Sequence, residues 1–165
     1  MRLRAWIAGF RWLHQKARRE SLTVEEAEAY REAREDMAAM LLAAQRLVLT
    51  PGEIARTALR VVRQLPVWLQ LITGKVRAEA LDISTGGFST VLDRSFPPGE
   101  TVTFSLLLGD GPLSGRARVA GAHEQGKSFR ISFRFEDLSP LDAERMGSEV
   151  LDAALEQLAT LVEHA

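Results

Sequence analysis

Asp82, Ser84 and Gly87 stand at D-x-S-x-x-G spacing within Leu81-Asp82-Ile83-Ser84-Thr85-Gly86-Gly87-Phe88. Arg56 and Arg60 stand upstream at R-x-x-x-R spacing. These residue types share a chemistry. An arginine fork pairs with phosphate oxygens or with the O6 and N7 edge of guanine, and it stacks on a base face. A carboxylate accepts from guanine N–H donors that adenine lacks at the same positions. A serine hydroxyl is a short donor or acceptor. A glycine has no side chain, so backbone amides can come close to a ligand. Together they suit a ligand that carries both phosphate and guanine.

Such residues need elements to hold them, and the motif lies at the junction of two expected strands. From about Val61 to Glu136 short apolar alternations are broken by glycine and proline. The pattern predicts strands near 61–72, 75–83, 87–93, 100–108, 113–124 and 127–136. Gly74, Gly86-Gly87, Pro97-Pro98-Gly99, Gly109-Asp110-Gly111 and Gln125-Gly126 fall between them. In the Gly109–Gly111 hairpin, glycine and aspartate accept the positive backbone angles of a tight turn. Six short strands at this spacing favour a small antiparallel barrel.

Helices flank that barrel. Leu3, Trp6, Ile7, Phe10 and Leu13 recur at helical spacing among Arg2, Arg4, Arg11, Lys16, Arg18 and Arg19. Thr23 and Glu26 form a T-x-x-E capping box for a second helix that runs to Leu47. Thr50-Pro51-Gly52-Glu53 marks a third start, whose short helix carries Ile54, Ala55, Arg56 and Ala58. Ser139, Pro140 and Asp142 open the final helix. Along it Leu151, Leu155, Leu158 and Val162 repeat at 4, 3, 4 spacing, a heptad-like seam. The chain reads as α+β, with a helical extension at 1–55, a barrel at 56–138 and a C-terminal helix at 139–165.

With these motifs in place, the chain resembles the PilZ domain, the bacterial receptor module for cyclic di-GMP. The resemblance covers about residues 56–146 and has three anchors. They are the arginine pair, whose second member is 22 residues before Asp82; DISTGGF; and SFRISFRFEDLSPLDAERM, which is similar to the family's last strand and its F-x-D-L-S-P run. It implies a six-stranded antiparallel PilZ-like barrel and a non-enzymatic receptor, with cyclic di-GMP as ligand and no cofactor. It also implies that Arg56 and Arg60 hold phosphate and guanine, while Asp82, Ser84 and Gly87, with Gly86 beside it, line the guanine pocket. The family often binds an intercalated ligand dimer over which the arginine segment closes. Ligand capture would then change conformation or the binding of an unidentified protein partner. A different alignment takes Arg63 as the second arginine and leaves Leu59 where the first should be. Many family members act as protein adaptors without ligand, so an adaptor that has lost cyclic di-GMP binding is the second reading.

Composition narrows the rest. The chain has 165 residues, 46% hydrophobic and 26% charged, which fits one domain plus an appendage. A net charge of -1 and a pI of about 6.3 argue against a general nucleic-acid binder. The lack of cysteine excludes disulfides and thiolate metal sites. No apolar run approaches the roughly 18–20 residues of a membrane span. MRLRAWIAGFRWLHQK is too interrupted by arginine for a signal-peptide core, so cytoplasm is the expected compartment. His14, His123 and His164 are scattered without H-x-x-x-H spacing, so no metal site is expected. There is no G-x-S-x-G elbow and no G-x-x-x-x-G-K-[ST] loop, and Gly86-Gly87 lacks the following helix of a dinucleotide fold, so no catalysis is expected. Lys75, Arg77 and Arg63 read as exposed strand residues. The basic, aromatic stretch 2–19 has two readings. It packs on the acidic second helix, which the opposite charges favour, or it makes peripheral contact with an anionic membrane. The C-terminal seam packs on the chain's own barrel or helices, or joins two copies as a homodimer.

Overall fold

The computed structural model describes residues 3–47 and 59–163. In chain order its elements are α1 (Leu3–Arg18), α2 (Val24–Leu47), β1 (Arg60–Leu71), β2 (Gly74–Ser84), β3 (Gly87–Leu92), β4 (Thr101–Leu108), β5 (Gly111–Gln125), β6 (Ser128–Glu136) and α3 (Pro140–Glu163). They divide into two compact units, residues 60–154 and residues 1–59 with 155–165.

In the first unit the six strands close into an antiparallel barrel in the order β1-β2-β3-β6-β5-β4. Closure leaves no unpaired sheet edge. The two-residue alternation is the cause of the core: Val67, Leu69, Leu106, Leu113 and Ile131 turn inward and lose all solvent contact. Phe88 stacks on Phe133 at 5.1 Å and meets Phe104 at 5.6 Å, so large rings fill the barrel's width. All six expected strands form, with ends displaced by up to two residues. The largest displacement is at β5, which starts at Gly111 because Leu108 pairs directly with it. The positive angle of that hairpin falls on Gly111 (φ 125°) and not on Asp110. Asp110 serves instead as an anchor: its oxygens accept from Arg145 of α3 at 3.1 and 3.2 Å.

The β1–β2 register shifts between Val62 and Leu65, which leaves Arg63 and Gln64 outside the ladder. Arg63 therefore differs from the expected exposed strand residue. Its Nη2 donates to Glu149 Oε1 at 3.2 Å, and Glu149 Oε2 accepts from Gly109 N–H at 3.3 Å. Glu149 is 2% exposed, so Arg63 is the counter-ion of a buried carboxylate. Leu151 and Leu155 of the heptad-like seam are buried within the chain, and Leu158 is half-buried. The side chain of Val162 lies outside the described residues.

In the other unit α1 lies against α2. Phe10 stacks on Tyr30 at 5.8 Å and on Trp6 at 5.9 Å, and Lys16 donates to Glu26 at 2.6 and 2.7 Å. The opposite charges thus meet as the packing reading of residues 2–19 expects. The capping box forms: Glu26 N–H donates to Thr23 Oγ1 at 3.2 Å and Thr23 N–H to Glu26 Oε2 at 2.9 Å. Ser139 likewise caps α3 through Asp142 N–H at 3.1 Å. The third helix start at Thr50, with Ile54, Ala55, Arg56 and Ala58, lies outside the described residues. No described helix is long and apolar enough to cross a membrane.

His14 is buried, with Nδ1 2.6 Å from the Tyr30 hydroxyl. Burial first, and then the charges of Arg18 and Arg34, lower its pKa from 6.5 to about 4. The folded chain keeps this imidazole neutral where the unfolded chain protonates it. Its stabilising contribution is complete above pH 6.5 and is lost as pH falls towards 4. Between pH 7.5 and 4.5 the helical unit should lose about 1–2 kcal/mol, a figure reduced for solvent screening. His14→Gln should remove that dependence in circular-dichroism melts. An unchanged pH slope in the variant would assign the loss to other groups.

Candidate functional site

The turn between β2 and β3 is built by the motif itself. Ser84 pairs with Gly87 across it, and Ser84 Oγ accepts from Gly86 N–H at 3.2 Å. Gly86 O accepts from Phe135 N–H at 2.9 Å, which ties the turn to the end of β6. Gly87 is buried against β6, and a Cβ there would stand 1.9 Å from Phe133 O. A close approach requires this glycine, and what approaches is the barrel's own β6 backbone rather than the ligand for which the motif reading reserved the space. Gly86 is exposed, and a Cβ on it would meet only Ser84 Oγ at 3.8 Å.

Asp82 lies one step behind the turn. It is 6% exposed because the β2–β3 register shifts between Ala80 and Asp82, so that Asp82 and Ile83 are buried consecutively. Ile83 points into the core and Asp82 to the outer wall, where two arginines meet it. Arg60 Nε is 3.6 Å from Oδ1. Arg130 Nη2 donates to Oδ2 and also lies 3.3 Å from Ser89 Oγ. Arg60 is the first residue of β1 and pairs with Ser84, one residue earlier than the strand expected from the sequence. It is held on a strand beside the motif. Arg56 lies outside the described residues, and Arg63 is turned to Glu149.

The structure thus brings together Arg60, Asp82, Ser84, Gly86 and Gly87, and adds Arg130 and Ser89. Arg130 was not singled out in the sequence. Its one signal was alternation: it shares a face with Arg134, opposite to Ile131 and Phe133, in the SFRISFRFE run. Arg134 pairs with Gly87 and is exposed on the same wall. Two guanidinium groups around one carboxylate leave an excess of positive charge beside the Ser84 turn. Such a surface can take an anion while Asp82 accepts from N–H donors. Among the described residues no three His, Cys, Asp or Glu side chains are grouped to hold a metal.

A closed six-stranded barrel with a buried carboxylate and several arginines on its outer wall is the class that fold and site define. The family model for the PilZ domain matches residues 55–152, and the chain belongs to the PilZ domain family. No curated protein matches the sequence. Among solved structures the chain is similar to YcgR from Escherichia coli in complex with c-di-GMP, at 19% identity and a TM-score of 0.59, over 67% of this chain and 50% of that one. It is similar to the MrkH–c-di-GMP complex of K. pneumonia, at 17% identity and 0.55, over 64% and 54%. It is also similar to the Bacillus subtilis inhibitor of motility MotI/DgrA, at 19% identity and 0.53, over 65% and 53%. The matched region spans about half the length of each of these proteins. At such identities the likeness is one of fold.

Proposed function

We propose that this chain is a non-enzymatic receptor for cyclic di-GMP that holds the ligand on the outer wall of the barrel around Asp82. The observation that carries the reading is the Arg60–Asp82–Arg130 cluster behind the Ser84–Gly87 turn. Arg60 is in loose contact with Oδ1, so it can exchange that contact for a phosphate oxygen or a guanine edge. Asp82 then accepts from the guanine N1–H and 2-amino groups. Ser84 and the Gly86–Gly87 backbone border the base, and Arg56 joins by its spacing from Arg60. The family, and the c-di-GMP complexes of YcgR and MrkH, support the choice of ligand. Capture draws the arginine segment towards the wall and so alters the surface offered to a protein partner.

Titration calorimetry at micromolar protein tests the reading. Saturable heat with cyclic di-GMP is expected, and no heat would sink it. A second reading, a ligand-independent adaptor, draws on one observation: Asp82 and Ser84 already have partners within the barrel. Under it, titration is silent and Arg60→Ala and Asp82→Ala leave partner capture intact.

A further inference from the structure

We propose that Arg130 is the positioning residue that holds Asp82 in its guanine-reading pose, and that it thereby sets selectivity for the guanine 2-amino group. The inference rests on the receptor reading above. Arg130 lies inside β6, paired with Val91 of β3 on one side and His123 of β5 on the other, so its backbone is fixed from both flanks. Ser89, which is 0% exposed, sits within reach of the same Nη2 that bonds Asp82. Arg60, by contrast, opens its strand and reaches only 3.6 Å from the carboxylate. The two arginines therefore divide the work. Arg130 stays on Oδ2 and Arg60 leaves for the ligand. Each carboxylate oxygen has about two acceptor sites, so Oδ2 retains one for the base while Oδ1 is released.

Removal of Arg130 has a specific consequence. Arg60 becomes the nearest cation to Asp82, and the pair closes on itself. The ligand then has to displace Arg60 from a carboxylate that is no longer held in its reading pose. Arg130→Met should weaken cyclic di-GMP by about 30-fold, a size expected for one lost bidentate base contact. It should also bring cyclic di-GMP and cyclic di-IMP, which lacks the 2-amino group, to nearly equal affinity. Arg130→Lys keeps the charge without the planar fork and should recover part of the affinity but little of the selectivity.

The experiment is calorimetry of the full chain and both variants with the two dinucleotides, with circular-dichroism melts as a fold control. An Arg130→Met variant that keeps wild-type affinity and selectivity overturns the proposal. A ligand-free arm makes the result independent of the receptor reading and of the variants' folding: nitrogen-15 spectra of the arginine side chains. Restrained Arg130 Nη signals in the wild type, freed in Asp82→Asn, are expected. Freely rotating Arg130 Nη groups in the wild type would overturn the positioning role even if ligand binds. If the wild type binds no cyclic di-GMP, the receptor reading fails, and these spectra alone decide whether Arg130 holds Asp82.

Discussion

Gly87→Ala lowers the stability of the barrel by about 4 kcal/mol, at the severe end for a single substitution. Its melting temperature falls by roughly 15–30 °C, while Gly86→Ala melts within roughly 5 °C of the wild type. The two neighbours differ because of what faces them. A Cβ at Gly87 would be 1.9 Å from Phe133 O, 2.9 Å from Phe133 C and 3.2 Å from Arg134 Cα. All three are backbone atoms of β6, so no side-chain rotation relieves the clash. Relief requires β3 to part from β6, which breaks the Gly87–Arg134 and Phe88–Phe133 pairs and opens the ring stack at the barrel centre. A closed barrel cannot absorb that at an edge, since it has none. At Gly86 the nearest atom to a new Cβ is a hydroxyl at 3.8 Å. Parallel circular-dichroism melts compare the variants, and equal melting points would refute the assignment.

The contrast shows what local pattern can and cannot carry. Strand positions were legible because inward residues such as Val67, Leu69 and Leu106 recur at the period of two, and glycine or proline punctuates the turns. Both described capping signals, at Thr23 and Ser139, were legible for the same reason, since their chemistry spans only three residues. The motif Asp82-Ile83-Ser84 was legible as a candidate site because its residues are adjacent in the chain.

Arg130 was not, because it meets Asp82 across two ladders, and the β3–β6 register is set by barrel closure between distant segments. Arg63 was misassigned for a related reason. Alternation places it outward, but a bulge after Val62 takes it out of phase and towards Glu149. Glu149 itself carries no local signal: an acid two residues before Leu151 and one turn before Ala153 reads as solvated until Arg63 and Gly109 arrive from elsewhere in the chain. Gly87 was read as a point of close approach to a ligand; its packing against the β6 backbone was visible only once β6 was in place.

Asp82→Ala should cost cyclic di-GMP affinity about 100-fold or more, which corresponds to about 2.7 kcal/mol. Under the proposed function the carboxylate would accept from two guanine N–H donors, and charge-assisted bonds of that kind contribute about 1.5–3 kcal/mol each. The effect on folding should be smaller. The carboxylate is nearly buried, but both arginines that face it are 35% exposed in their side chains, so water can solvate them when it is gone. About 1 kcal/mol is expected after that screening, a melting shift of roughly 4–8 °C. This pattern separates Asp82 from Gly87: one variant loses ligand and nearly keeps its melting point, the other loses mainly barrel stability. Asp82→Asn sharpens the comparison. The amide preserves shape and one acceptor, but its NH2 group faces either an arginine or a guanine donor, so affinity should stay well below wild type. Calorimetric titration of both variants beside their melting curves is the measurement. Affinity within about threefold of wild type in Asp82→Ala, about 0.7 kcal/mol or less, would show that this carboxylate reads no guanine.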